Sequence, residues 1–155
     1  MAILSEPMQR LVCEQRLGFV ATVCEDGTPN LSPKGTLAVW DDEHLIFADL
    51  CSSGTVANLR GNSAVEINVV DSLSRKGYRF KGTARVLEEG PEFRRGVEFY
   101  AGRGLSDAPR RIQTVVLIHV EHAKPLVSPG YDGSVSEAQM RQRWKEYYDG
   151  LGPSF

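Results

Sequence analysis

Between residues 64 and 87 the chain alternates apolar and polar side chains with a period of two, and this restricts its fold more than any other feature. Val65, Ile67 and Val69 oppose Glu66 and Asn68, while Tyr78, Phe80, Ala84 and Val86 oppose Arg79, Lys81, Thr83 and Arg85. Successive side chains of a strand point to opposite faces, so both segments predict strands with one buried and one wet face. Four more strands are predicted at 19–24, 30–40, 44–49 and 114–120, from β-branched and aromatic content bounded by turn residues. Glu25-Asp26-Gly27-Thr28 joins the first two, because an Asp-Gly pair takes the positive φ angles of a tight hairpin. Gly82 predicts a bend within its strand. Pro125 and Pro129 are expected to stop the last strand soon after Val120.

The helical signals are short. Ser5 and Pro7 ahead of Met8, Leu11 and Val12 predict a helix over 5–17, and Val56 with Leu59 predicts another over 55–60, after a small polar loop at 50–54. Pro91 opens a third at 91–100, and 136–148 carries Met140, Trp144, Tyr147 and Tyr148 on one side of a terminal helix. No long crossover helix of the kind that parallel pairing requires lies between strands. Six strands with short connections therefore predict a mainly β chain with short helices, a small antiparallel barrel whose closure hides its edges. One domain is expected over 1–155, with a helix at 5–17, the barrel at about 19–127 and a tail with its helix at 128–155. At 155 residues, folding buries roughly 70% of the unfolded surface, enough for a core without staples.

Charge excludes some functions. Eighteen Lys and Arg against twenty Asp and Glu leave a net charge of −2, which argues against a chain built to neutralise a phosphate backbone, so no nucleic-acid partner is expected. No apolar run nears the ~20 residues that cross a bilayer, and Glu6 and Pro7 stand where a leader would be basic and then apolar. The expectation is a cytoplasmic protein without a membrane partner. Cys13, Cys24 and Cys51 are odd in number without CxxC spacing, and are expected as reduced, small core residues. On a strand His119 and Glu121 point opposite to His122, so no metal triad is expected. His44 reads as a turn residue with no clear carboxylate partner, and Arg94-Arg95 and Arg110-Arg111 as solvated surface.

Two segments carry the chemistry. Ser32-Pro33-Lys34-Gly35-Thr36 lies within the second strand, and Ser52-Ser53-Gly54-Thr55 opens a helix about twenty residues later. Pro33 cannot donate to a ladder and Gly35 has no side chain, so pairing is expected to lapse there and free backbone groups for a ligand. The amides opening the helix, with the Ser and Thr hydroxyls, form a cradle for a phosphate dianion, and Lys34 supplies the countercharge. The same residues also suit an N-cap and an edge-strand bulge. Neither segment matches the P-loop or dinucleotide fingerprint.

The run DGTPNLSPKGT, a strand ending in FAD, then SSGTVANLRGN, VEINVVD and YRFKGTARV resembles the pyridoxamine 5′-phosphate oxidase-like, FMN-binding split-barrel family from about Phe19 to Val127. The resemblance implies a six-stranded antiparallel split β-barrel, a homodimer, and FMN in grooves at the dimer interface. By position, Ser32, Pro33, Lys34, Gly35 and Thr36 correspond to the strand lining the flavin and its phosphate. Ser52, Ser53 and Thr55 fall on the second phosphate-contacting loop, with Asn58 on the helix after it. Gly54 stands where members often carry a basic residue, and no counterpart of the C-terminal Arg/His segment that holds the B6 substrate is present, so vitamin B6 oxidation is not the expected activity.

The implied function is FMN-dependent oxidoreduction of an unknown small molecule, with the flavin supplying the chemistry and no protein nucleophile required. A non-catalytic flavin, deazaflavin or haem binder is the alternative. Arg79 and Lys81 are candidate partners for an anionic ring or substrate, and Tyr131, Trp144 and Tyr147 candidate covers for the ring of a partner subunit.

Overall fold

The computed structural model describes residues 2–51 and 53–152, with the side chain of Ser53 also outside the description. Among the described residues seven strands, β1 (Gly18–Val23), β2 (Pro29–Lys34), β3 (Ala38–Val39), β4 (His44–Asp49), β5 (Ala64–Asp71), β6 (Lys76–Leu87) and β7 (Thr114–Val127), form one sheet in the order β2-β1-β5-β6-β7-β4-β3. Every pairing is antiparallel. Five helices among the described residues accompany it: α1 (Glu6–Gln15), α2 (Ser53–Gly61), α3 (Gly90–Ala101), α4 (Ala108–Arg111) and α5 (Glu137–Gly150).

The edge strands, β2 and β3, are joined by residues 35–37 alone. A sheet whose ends are tied by three residues must curl on itself, and the result is a split barrel with its seam at that link. The predicted strand over 30–40 is thus two strands, which is why the count is seven instead of six. Pairing with β1 does not lapse at Pro33, which stands opposite Phe19; it runs to Lys34 and lapses only afterwards. The ladder tolerates Pro29 and Pro33 because β2 is an edge strand.

Inward-facing Val20, Leu45, Phe47, Ile67, Phe80 and Ile118 fill the barrel, with Leu4 and Val12 closing one end from the α1 segment. Ile46, Ala48, Val115 and Leu117 form a second core on the outer face of β4 and β7, covered by Tyr100 of α3 and by Ala108 and Ile112 around α4. β4 is consequently apolar on both faces.

The bend expected at Gly82 is a β-bulge, where the β6–β7 register shifts between Lys81 and Gly82. A Cβ at Gly82 would collide with the His119 carbonyl. β7 does not stop near Val120 but continues through Pro125 to Val127. β4 pairs with β7 as far as His119, followed by one bond from the Val120 N–H to the Glu43 carbonyl, so beyond Val120 that side of β7 is open and a missing N–H there costs no ladder bond.

The thiols are free as expected, but Cys13 and Cys51 are exposed instead of buried in the core and Cys24 is half-buried. His44 does have a carboxylate partner, with Nδ1 2.8 Å from Asp41 Oδ1. Ser136 caps α5 in a reciprocal box with Gln139. Among the described residues no helix is long and apolar enough to cross a membrane.

Candidate functional site

At the seam, residues 33–36 face residues 48–51 across a cleft of about 170 Å³. Thr36 fastens the two sides: its hydroxyl donates to the Ala48 carbonyl at 2.9 Å and accepts from the Ala48 N–H at 3.1 Å. Tyr100 fixes the turn from outside by donating its hydroxyl to the Thr36 carbonyl at 2.8 Å. Burial pushes that phenol far above its ordinary range, so it remains a neutral donor.

Lys34 is only 6% exposed. Its ammonium lies 5.6 Å from the centre of the Phe47 ring and makes no ion pair among the described residues. Burial lowers its pKa, and the charge of Asp49 opposes that shift. A buried cation of this kind costs stability unless something anionic compensates it. Gly35 and Gly54 are exposed, with open space where a side chain would stand, so the backbone is bare at both.

The sequence-predicted residues are distributed unevenly. Lys34, Gly35, Thr36 and the exposed Pro33 gather at the cleft, with Ser32 half-buried on the inward parity of the same strand. Ser52 lies outside the described residues, Ser53 opens α2, and Thr55 is fully buried in its first turn. Asn58 is directed elsewhere, donating to Thr22 Oγ1 at 3.0 Å over a separate hollow beside the β1–β2 turn.

Arg79 pairs with Glu66 at 2.9 Å, and with Lys81, His122 and Lys124 it borders a hollow of about 300 Å³ on the outer face of the sheet. The tail aromatics are engaged within their own chain: the Arg75 guanidinium stacks 3.4 Å from the Trp144 ring centre, and Tyr131 donates to the Ser74 carbonyl at 2.6 Å.

Asp49 and Tyr100 were not singled out as site residues. Asp49 ends the FAD strand and was legible as its one charged residue, whereas nothing local marks Tyr100. Also unread were Arg16 and Arg103, which line a hollow of about 270 Å³ on the far side of the Gly35 and Thr36 turn.

An antiparallel split barrel with a cleft at its seam, bordered by Lys34 and Asp49, defines the class of protein. Residues 4–124 match the family model described as pyridoxamine 5'-phosphate oxidase, and the chain belongs to that family. It is similar to HupZ of Group A Streptococcus, at 33% identity and a TM-score of 0.72 over 81% of this chain and 96% of that one. A putative pyridoxamine 5'-phosphate oxidase from Lactobacillus delbrueckii is 27% identical, with a TM-score of 0.64 over 80% and 95%. An uncharacterized protein of Methanocaldococcus jannaschii is 30% identical over 89 residues, and the match spans only 56% of this chain and 58% of that relative. Under 25% identity the likeness is one of fold alone; such structures include an FMN-binding protein from Syntrophomonas wolfei (17%, TM-score 0.66) and HutZ, the heme storage protein of Vibrio cholerae (18%, TM-score 0.63).

Proposed function

We propose that this chain binds FMN by its phosphate at the seam cleft, works as a homodimer, and transfers electrons between the flavin and a small molecule. The observation that carries the reading is the buried Lys34 ammonium, without an ion pair among the described residues and bordering the cleft between residues 33–36 and 48–51. A doubly charged phosphate would offset the burial cost of that cation, and a charge-assisted hydrogen bond to it contributes about 1.5–3 kcal/mol. Family membership and an FMN-binding protein of the same fold support the choice of ligand.

The residues present fit the phosphate but not the ring. A cleft of about 170 Å³ is smaller than the roughly 300–1,000 Å³ of pockets that enclose a drug-sized ligand. The remaining walls would come from a second copy of the chain. On the outer face of β1 and β2, Leu31 is 65% and Phe19 41% exposed, and Pro33 lies opposite Phe19 and also borders the cleft. A partner seated there would bury this apolar face and enclose the ring beside the phosphate.

When bound, the flavin supplies the hydride or electron chemistry. The chain's own part is positional. Lys34 holds the phosphate, Thr36 and Tyr100 keep the turn rigid, and Arg16 and Arg103 give the neighbouring hollow a positive wall facing an anionic substrate. FMN titration with fluorescence readout, alongside size-exclusion chromatography, tests the proposal. Saturable binding at micromolar FMN, equivalent to ~8 kcal/mol, by a dimer whose flavin is then bleached by NAD(P)H is the expected result. Tight uptake of haem with no FMN binding would replace this reading with the haem-binding one, and FMN binding without reduction by any nicotinamide would leave a carrier.

A further inference from the structure

His44, at the start of β4, stands directly across the ladder from His119 of β7. The Val120 N–H donates to the Glu43 carbonyl at 2.9 Å, so the ladder bonds belong to that neighbouring pair. His44 and His119 therefore occupy a non-hydrogen-bonded position, where opposing Cα atoms come within about 4.5 Å and side chains lie closest. Their ring centroids are 5.2 Å apart at an interplanar angle of 51°. Asp41 accepts a hydrogen bond from the His44 Nδ1–H at 2.8 Å, which leaves the Nε2 lone pair of that tautomer for a metal, the arrangement in which a carboxylate orients a metal-binding imidazole. The His119 imidazole makes no hydrogen bond among the described residues.

Carboxylates lie close to the pair. Glu43 acts electrostatically on both imidazoles and Glu92, from α3, on His44. Glu121 lies two residues beyond His119 and accepts from Thr83 at 3.1 Å. Arg85, the nearby cation on β6, is occupied by Glu92 in two hydrogen bonds of 2.9 and 2.8 Å.

We propose that His44 and His119 chelate a divalent transition-metal ion of zinc or nickel type, with Asp41 orienting the first imidazole and water completing the coordination sphere. Imidazole nitrogen suits these ions and not magnesium or calcium, which require oxygen ligands. No group of three or more His, Cys, Asp or Glu among the described residues is arranged to hold a metal, so the site is a two-side-chain one, exchangeable and weaker than the closed four-ligand structural sites. It is independent of the flavin reading.

The test is calorimetric titration of the tag-free protein with Ni²⁺ and Zn²⁺, with Mg²⁺ as control, plus imidazole ¹H–¹⁵N spectra. The chain has three histidines, so the spectra discriminate. Expected are one-site binding with Kd below about 100 μM, movement of the His44 and His119 resonances with His122 unmoved, and at least a tenfold loss of affinity in His44→Gln and in His119→Gln but not in His122→Gln. No saturable binding, unchanged binding in both single variants, loss of binding on thiol alkylation, or movement of His122 instead would overturn the proposal. Should His44→Gln fail to fold, His119→Gln and the native spectra still decide it.

Discussion

Replacing Lys34 by Met separates the cost of the site from its use. The methionine retains most of the buried apolar stem but removes a charge that is 6% exposed, without an ion pair among the described residues, and held by burial below its ordinary pKa of 10.5. Removing a buried charge in favour of an apolar side chain of similar volume is expected to stabilise the apoprotein by about 1 kcal/mol at neutral pH. The sign follows from linkage. A lysine whose folded pKa lies below its unfolded one binds more protons unfolded, so wild-type stability rises as pH climbs through the folded value toward 10.5. The advantage of the methionine variant is therefore complete at neutral pH and fades in alkali. FMN affinity should move the opposite way, losing 1.5–3 kcal/mol, roughly 10- to 150-fold, while riboflavin, which lacks the phosphate, is unaffected. Urea denaturation at pH 7 and pH 10.5 with parallel titrations of the two flavins would measure all four quantities. Destabilisation by the substitution, or equal losses for FMN and riboflavin, would refute the assignment and make Lys34 a structural residue.

Other substitutions probe the frame around the site. Thr36→Val removes both hydrogen bonds to Ala48 and should cost about 2 kcal/mol in urea unfolding, with weakened FMN binding because the cleft loses its fastening. Gly82→Ala forces a methyl against the His119 carbonyl and should destabilise by about 3 kcal/mol, visible as a large fall in Tm. Burial alone would raise the Asp71 carboxyl, but hydrogen bonds from Leu73 and Ser74 and the charge of Arg141, 2.6 Å away, hold it below its ordinary pKa. The stability it contributes is therefore present at neutral pH and lost as pH falls below about 4 through its folded pKa, and Asp71→Asn should flatten that limb of a Tm-against-pH profile at a cost near 2 kcal/mol.

Strands with one wet face were the most legible part of the chain, since alternation in β5 and β6 translates directly into orientation. The extent of β7 was not legible. Whether Pro125 ends a strand depends on whether its nitrogen faces a partner, and that is settled by how far β4, some seventy residues earlier in the chain, runs alongside. The division of 30–40 into β2 and β3 was hidden for a related reason, because its residues have strand character throughout and only barrel closure forces the turn at Gly35. Within the site, motif order set residues 33–36 against the helix-opening segment 52–55, whereas the cleft they border is walled by residues 48–51, just ahead of it. The direction of Asn58 toward Thr22 did not, because it is set by the rotation of α2 about its axis. The His44 and Asp41 contact spans a three-residue turn, and the periodicity of the flanking strands says nothing about it.

The link at residues 35–37 makes the barrel a ribbon whose two ends are pinned at one point. A ligand lodged beside that pin would act as a rivet across the opening, so occupancy and global stability become one measurement: at a hundred times its Kd, a ligand specific to the folded state adds about 2.7 kcal/mol. Slower amide exchange at Leu37 and Ala38 than elsewhere would then be the first mechanical sign that the rivet is in place.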